Sequence, residues 1–301
     1  VKINRLLIFS FAVIAMLLWG ISFVWTKIVF KYYGPITTVF IRLLISCTFL
    51  YLLSLLFFKR EKINKADYKL FLISSLLNPF LYFLGESFGL KYVSSTIAAV
   101  IIATIPVFTP LAAYFSIRER LSNYNIIGIF VSFFGILVML LKRDLSLNAS
   151  PLGVLFLFIG VASAVFYTIL LKKLTSRYSP LKIITVQNFI GVIYFLPLFL
   201  IFEFRDFINI KPNFELISTI LLLAVFASSL AYIFYAISVR EIGVSRANVF
   251  SNLMPVFTAI FSYFILSEIF SMNKIIGVLI VILGVFITQI DISKVYFRFG
   301  K

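Results

Sequence analysis

The chain has 301 residues, of which 62% are hydrophobic, 18% aromatic and only 13% charged, against about 45–50% apolar and about 25% charged in soluble domains. This excludes an ordinary soluble globule, and the net charge of +16 is scattered between apolar runs rather than gathered in a stripe, which argues against nucleic acid as a partner. With no His and a single Cys, Cys47, inside an apolar run, disulfides, zinc sites and His-based acid/base catalysis have no residues to use, so neither an enzyme nor a metal or other cofactor is expected.

Hydropathy broken at charge clusters and at Gly, Pro, Asn and Ser predicts ten helices. The first, Leu6 to Val29, lacks a small-residue cleavage site and is expected to be an anchor rather than a cleaved signal. It places Trp19, Ser22 and Phe23 near the bilayer middle, a depth unusual for Trp, and so suggests a cavity wall. The second, Ile36 to Phe58, holds Arg42 one to two turns inside its boundary. Its stem either snorkels to the headgroups or turns inward, where it would favour a carboxylate or phosphate.

The third helix, Tyr68 to Phe88, carries Ser75, Asn78, Tyr82 and Glu86 on one face, and polar groups in hydrocarbon must face the bundle interior or water. Pro79 beside Asn78 frees a carbonyl and marks a bend. Glu86, the one carboxylate placed inside a span, is either a proton carrier or one half of an interfacial ion pair with Lys91.

The fourth helix, Ser94 to Ile117, contains Pro106 and Pro110, and the ninth, Val244 to Leu266, contains Pro255; all three weaken the helical ladder and are natural hinges. The fifth runs from Asn123 to Leu141. Helix 6, Leu152 to Leu174, offers Ser163 and Tyr167, and helix 7, Ile183 to Phe202, has Gln187 and Asn188, to which no ligand is assigned. On helix 8, Leu216 to Ile237, Ser228, Tyr232 and Tyr235 form a row. Helix 9 sets Asn248, Ser251 and Asn252 on a single face, the strongest candidate cluster, because two amides one turn apart donate and accept together. The competing reading for each of these polar rows is interhelical hydrogen bonding with no substrate contact. Helix 10 runs from Lys274 to Ile290. Glu119 and Glu268 lie in turns before helices 5 and 10, with Ser122 and Ser271 as N-caps, and are expected to engage the amides of the incoming helices.

With the amino terminus in the cytoplasm, 18 Lys and Arg fall on that side and 8 on the other, which places both termini in the cytoplasm by the positive-inside rule. The chain also repeats itself. Pro106-Val-Phe-Thr109, Tyr114-Phe115, Glu119, Ser122, Ile126-Ile-Gly128 and Gly135 recur 149 positions later as Pro255-Val-Phe-Thr258, Tyr263-Phe264, Glu268, Ser271, Ile275-Ile-Gly277 and Gly284. A five-helix unit is therefore duplicated, with the halves divided at 1–145 and 146–301. Because five is odd, the second copy enters the bilayer upside down, and such inverted repeats provide alternating access.

The residues also resemble the drug/metabolite transporter superfamily of EamA type. The likeness rests on Trp19-Gly20-Ile-Ser22-Phe23, Arg42, Gly89-Leu-Lys91-Tyr92-Val-Ser94, Pro106-Val-Phe-Thr109 and Arg118-Glu119-Arg120-Leu121-Ser122, then on Arg240 through Ala247, Pro255-Val-Phe-Thr258 and Glu268. Around Glu268 the family often has a Gly and a basic residue, where this chain has Ser267 and Ile269-Phe270. The resemblance implies an all-α polytopic membrane protein, ten transmembrane helices as two inverted five-helix repeats, with a central cavity lined by helices 1, 3, 4, 6, 8 and 9. It also implies movement of small metabolites, often by export.

The expected function is thus a secondary transporter of small or amino-acid-like metabolites in the plasma (cell inner) membrane, working by alternating access. No Walker-type loop is present to use ATP directly. The expected partners are a small-molecule substrate and the lipid bilayer, with a homodimer left open. The rival reading is a non-transporting receptor or scaffold on the same frame.

Overall fold

The protein is described here from a computed structural model, which covers residues 5–57, 61–109, 112, 122–140, 149–269 and 271–288. Pro110 and the Glu119 turn lie outside the described residues. Six helices are long and apolar enough to cross a membrane: α1 (Leu6–Val29), α2 (Pro35–Leu55), α3 (Lys65–Tyr92), α6 (Pro151–Thr175), α7 (Pro180–Asn209) and α8 (Phe214–Ile242). Four shorter apolar helices accompany them, α4 (Ser95–Thr109), α5 (Ile126–Leu140), α9 (Phe250–Leu266) and α10 (Met272–Ile287). No strand occurs among the described residues.

The surface has the inverted character that lipid demands. Phe130, Phe214 and Phe264 are 72%, 86% and 76% exposed, while Arg42, Glu86, Gln187, Asn188 and Asn248 are all buried. In water that distribution would be strongly unfavourable; in a bilayer it puts apolar groups against acyl chains and polar groups against one another. The chain is a multi-pass membrane protein.

Local chemistry fixes the helix ends. Pro35, Pro151 and Pro180 occupy first turns, where a missing N–H costs nothing. Ser94, Ser179 and Asn213 accept from the backbone N–H three residues on, as N-caps do. Three carboxylates add longer-range caps. Glu203, late in α7, accepts the amides of Ile36 and Thr37 at the start of α2 (3.3 and 2.7 Å). Glu61, just after α2, accepts from the Ser179 amide (3.3 Å) and hydroxyl (2.7 Å) at the start of α7. The two helices thus cap each other reciprocally. Glu268 does the same for α4, its Oε1 accepting from the Ser95 amide and its Oε2 from the Thr96 hydroxyl, both at 2.8 Å. The expectation that Glu268 would engage the helix following it is therefore corrected. Ser267, with a left-handed φ of 54°, ends α9 and lets the Glu268 amide bond back to the Ser262 carbonyl, which leaves its carboxylate free for α4.

Three spans contain π-helical turns, Leu76–Leu81 in α3, Phe199–Glu203 in α7 and Leu223–Leu230 in α8. A π turn shifts the hydrogen-bond register and exposes carbonyls, which in hydrocarbon need other donors. In α8 those donors come from neighbouring helices: Trp19 Nε1 to the Ala227 carbonyl (3.2 Å), and Ser46 Oγ (3.2 Å) and Asn188 Nδ2 (3.1 Å) to that of Ser228. In α3 the register breaks at Asn78, whose φ and ψ are −142° and 119°. Two contacts set how closely the helices approach. A Cβ on Gly85 of α3 would lie 2.6 Å from the Gly160 amide nitrogen of α6, and one on Gly135 of α5 would lie 2.7 Å from the Val281 nitrogen of α10. Both pairs pack backbone to backbone.

Candidate functional site

Six helices leave a cavity where they meet. Its free volume is about 70 Å³, well under the about 300–1,000 Å³ usual for small-molecule sites, so the helices close in tightly here. From the first half come Met16 and Trp19 of α1, Asn78 and Tyr82 of α3, and Ile102, Ile105 and Pro106 of α4. From the second come Ala164, Tyr167 and Thr168 of α6 and Tyr232 and Tyr235 of α8. Asn248, on the helical turn Val244–Val249 that precedes α9, closes the ring together with Ser251 and Met254.

The wall is aromatic with polar tips. The Trp19 ring meets those of Tyr232 and Tyr235 with centroids 5.0 and 5.2 Å apart. Tyr235 Oη donates to Asn248 Oδ1 (2.6 Å), and Asn78 Nδ2 donates to Tyr232 Oη (3.3 Å). Tyr167 Oη donates to Gln187 Oε1 (3.1 Å), whose own amide donates to Ser74 Oγ (3.0 Å). Such tips orient a ligand while the rings supply apolar contact.

Of the residues expected at a cavity, Trp19, Asn78, Tyr82, Tyr167, Tyr232, Asn248 and Ser251 line it, and six do not. Ser22 donates back to the Trp19 carbonyl (2.7 Å). Phe23 is packed in the core and only 1% exposed. Ser163 donates to the Leu77 carbonyl (2.6 Å), and Ser228 accepts from Arg42. Ser75 and Asn252 are buried, the Ser75 hydroxyl and both Asn252 amide atoms without hydrogen-bond partners. The reason is common to most of them: Ser75, Ser163, Ser228 and Phe23 each lie one turn beyond a lining residue on the same face, whereas Asn252 lies between the lining residues Ser251 and Met254, at the end of the 3-10 turn Phe250–Asn252. Helical period sets the face; depth is set by where neighbouring helices leave room.

Both ion-pair and snorkelling readings are corrected as well. Glu86 is buried, whereas Lys91 is exposed and no Glu86–Lys91 ion pair occurs among the described residues. The charge facing Glu86 is Arg42. Arg42 is 1% exposed, donates through Nε to Ser228 Oγ (2.7 Å), and lies with Cζ 4.4 Å from the Phe83 centroid. It points inward.

Of the proline positions, Pro106 lines the cavity just after a break in α4 at Ala103–Thr104. Pro255 is the third residue of Leu253–Leu266, directly after the 3-10 turn Phe250–Asn252, so it sits where a helix tolerates proline rather than in the middle of one. Sequence reasoning passed over Thr168 and the apolar lining from Met16, Ile102, Ile105, Ala164 and Met254, because nothing distinguishes an apolar cavity residue from an apolar core residue in sequence.

Comparison with known proteins places this cavity in context. The family model described as the EamA-like transporter family matches residues 6–141 and 151–290. The chain is 27% identical over 280 residues to an uncharacterized transporter of Archaeoglobus fulgidus, covering 91% of this chain and 94% of that one. It is 27% identical over 231 residues to the uncharacterized transporter YetK of Bacillus subtilis, covering 76% of this chain and 70% of the relative. A solved crystal structure shares the fold with a TM-score of 0.69 at 14% identity, covering 93% of this chain and 97% of the other.

Proposed function

Since the chain belongs to the EamA-like transporter family, we propose that it is a secondary transporter that moves small amphipathic or amino-acid-like metabolites by alternating access between two inverted five-helix halves. The observation that carries this reading is the composition of the cavity wall. It takes three helices from each half, and α6, α8 and α9 are the five-helix counterparts of α1, α3 and α4. A site at the interface of two equivalent halves opens to either side as the halves rock. The reciprocal caps of Glu61 and Glu203 support the same pseudo-symmetry, since each joins the end of one span to the start of its counterpart.

The protein resides in the plasma (inner) membrane with both termini cytoplasmic, and its direction is export. Pro106 marks the flexible point of α4. Glu86 carries the coupling proton, because it is a buried carboxylate one turn from the cavity residue Tyr82.

Flux in proteoliposomes tests this. Asn248→Ala is expected to lower flux at least tenfold, because it removes a lining amide, while Asn252→Ala is expected to leave it within threefold. Equal flux in both variants would remove the site assignment, and no flux of any solute would favour a scaffold. Glu86→Gln is expected to abolish acceleration by a pH gradient; full retention of that acceleration would refute the proton role.

A further inference from the structure

Arg42 sits on α2, a helix that contributes nothing to the cavity lining, yet it is the most deeply buried charge near it. A guanidinium at membrane depth is costly, and a half-satisfied one is worse than none. Its Nε is satisfied by Ser228 and its face by Phe83. Its Nη1 is fully buried and has no hydrogen-bond partner. Glu86 interacts with Arg42 electrostatically, but no ion pair joins them among the described residues.

The groups around the guanidinium adjoin the cavity wall. Tyr82 and Tyr232 both line the cavity; Ser228, which binds the guanidinium, lies one turn before Tyr232, and Phe83, which the guanidinium faces, follows Tyr82 and packs edge-on against the Tyr232 ring with centroids 6.2 Å apart. Tyr232 Oη accepts from Asn78, so its own proton remains to be donated. A carboxylate presents two acceptor oxygens and pairs best with charge-assisted donors; the unmet Nη1 and the Tyr232 hydroxyl supply two. The rest of the chamber, with the Trp19, Tyr167 and Tyr235 rings and Met16 and Met254, suits an apolar body. None of the lining residues is acidic, so the chamber offers a cationic solute no direct counter-charge.

We infer that Arg42 and the Tyr232 hydroxyl recognise a substrate carboxylate, so that the transported solutes are small carboxylates, zwitterions among them, with an apolar body. This rests on the transporter reading and narrows its substrate class. Arg42 is a specificity-determining residue in this scheme, reached at the boundary between Tyr82 and Tyr232.

The test uses the purified full chain in liposomes with two acid–amide pairs, leucine against leucinamide and phenylacetate against phenylacetamide, each measured above protein-free vesicles. The native chain is expected to carry at least one acid tenfold or more faster than its amide. Arg42→Gln and Tyr232→Phe are each expected to raise KM for that acid at least tenfold with kcat within threefold, and Arg42→Lys to recover part of the loss. Tyr232→Phe leaves the guanidinium in place and decides the matter if Arg42→Gln does not fold. Amide flux equal to acid flux in the native chain, or acid KM unchanged in Tyr232→Phe, overturns the inference and leaves transport standing. Loss of kcat alone in both variants, with no change in acid-over-amide preference, shows a structural role and also overturns it. Absence of flux for every probe overturns the transporter reading along with it.

Discussion

Glu268 joins α9 to α4 through two hydrogen bonds of 2.8 Å, to the Ser95 amide and the Thr96 hydroxyl, across more than 170 positions of chain. Lys27 at the end of α1 adds an electrostatic contact. Both α4 and α9 line the cavity, so these bonds hold together the end at which α9 finishes and α4 begins, and opening that end must break them. A hydrogen bond to a charged group contributes about 1.5–3 kcal/mol when buried; with Glu268 half-exposed, about 1 kcal/mol each is the appropriate figure, or about 2 kcal/mol for the pair. At 1.4 kcal/mol per decade, Glu268→Ala should raise the population open at that end roughly 30-fold. The assay is labelling of Ser251→Cys, in a Cys47→Ser background, by a membrane-impermeant maleimide applied from the Glu268 side. Glu268→Gln retains an acceptor oxygen and should give a rise of about fivefold, the equivalent of about one such bond. A rate within twofold of the parent in Glu268→Ala would refute the reasoning. So would an equal rise in Glu61→Ala, whose contact with Ser179 is at the other end of the bundle.

The close backbone contact of α5 with α10 predicts that Gly135→Ala lowers stability by about 1–3 kcal/mol, as overpacking does. The added Cβ meets the Val281 nitrogen at 2.7 Å and the Gly277 carbonyl at 2.9 Å, neither of which can rotate away; an unchanged Tm in detergent would contradict this. Gly243→Ala, with open space around it but φ and ψ of 84° and 161°, should cost about 1–3 kcal/mol through backbone strain alone, and a neutral result would show that the turn relaxes. Tyr178 donates to Asp67 Oδ2 at 2.7 Å, and that bond pushes its phenol above the usual range. The protonated folded form is the favoured one, so the bond's contribution of about 0.5–1.5 kcal/mol is complete below the unfolded pKa of about 10 and is lost as pH rises through the raised folded value. Tyr178→Phe should therefore melt lower than the native chain at neutral pH, with the gap closing at strongly alkaline pH; a gap constant with pH would refute the assignment.

Much of the candidate site was legible in sequence because hydrocarbon penalises polar groups so heavily. Asn78 and Tyr82, four apart on α3, and Asn248 and Ser251, three apart, had to face inward, and they do. The same reasoning extended too far along each stripe, to Ser75, Ser163 and Ser228, because a buried hydroxyl is equally well placed against a neighbouring helix as against a cavity. Arg42 shows the opposite limit. Its long stem permits two directions from one backbone position, and the choice was made by Ser228 and Phe83, which lie 186 and 41 positions away.

The amino-acid sequence by itself determined the solvent and most of the inward faces, since these follow from local composition and a period of 3.6 residues. Only the tertiary structure decided which turn of each face borders empty space, that Glu268 caps α4 rather than the helix after it, and that π turns in α8 call on Trp19, Ser46 and Asn188 for donors. Those outcomes depend on partners distant in the chain, whose approach is set by how closely whole helices pack, a quantity that no local pattern encodes.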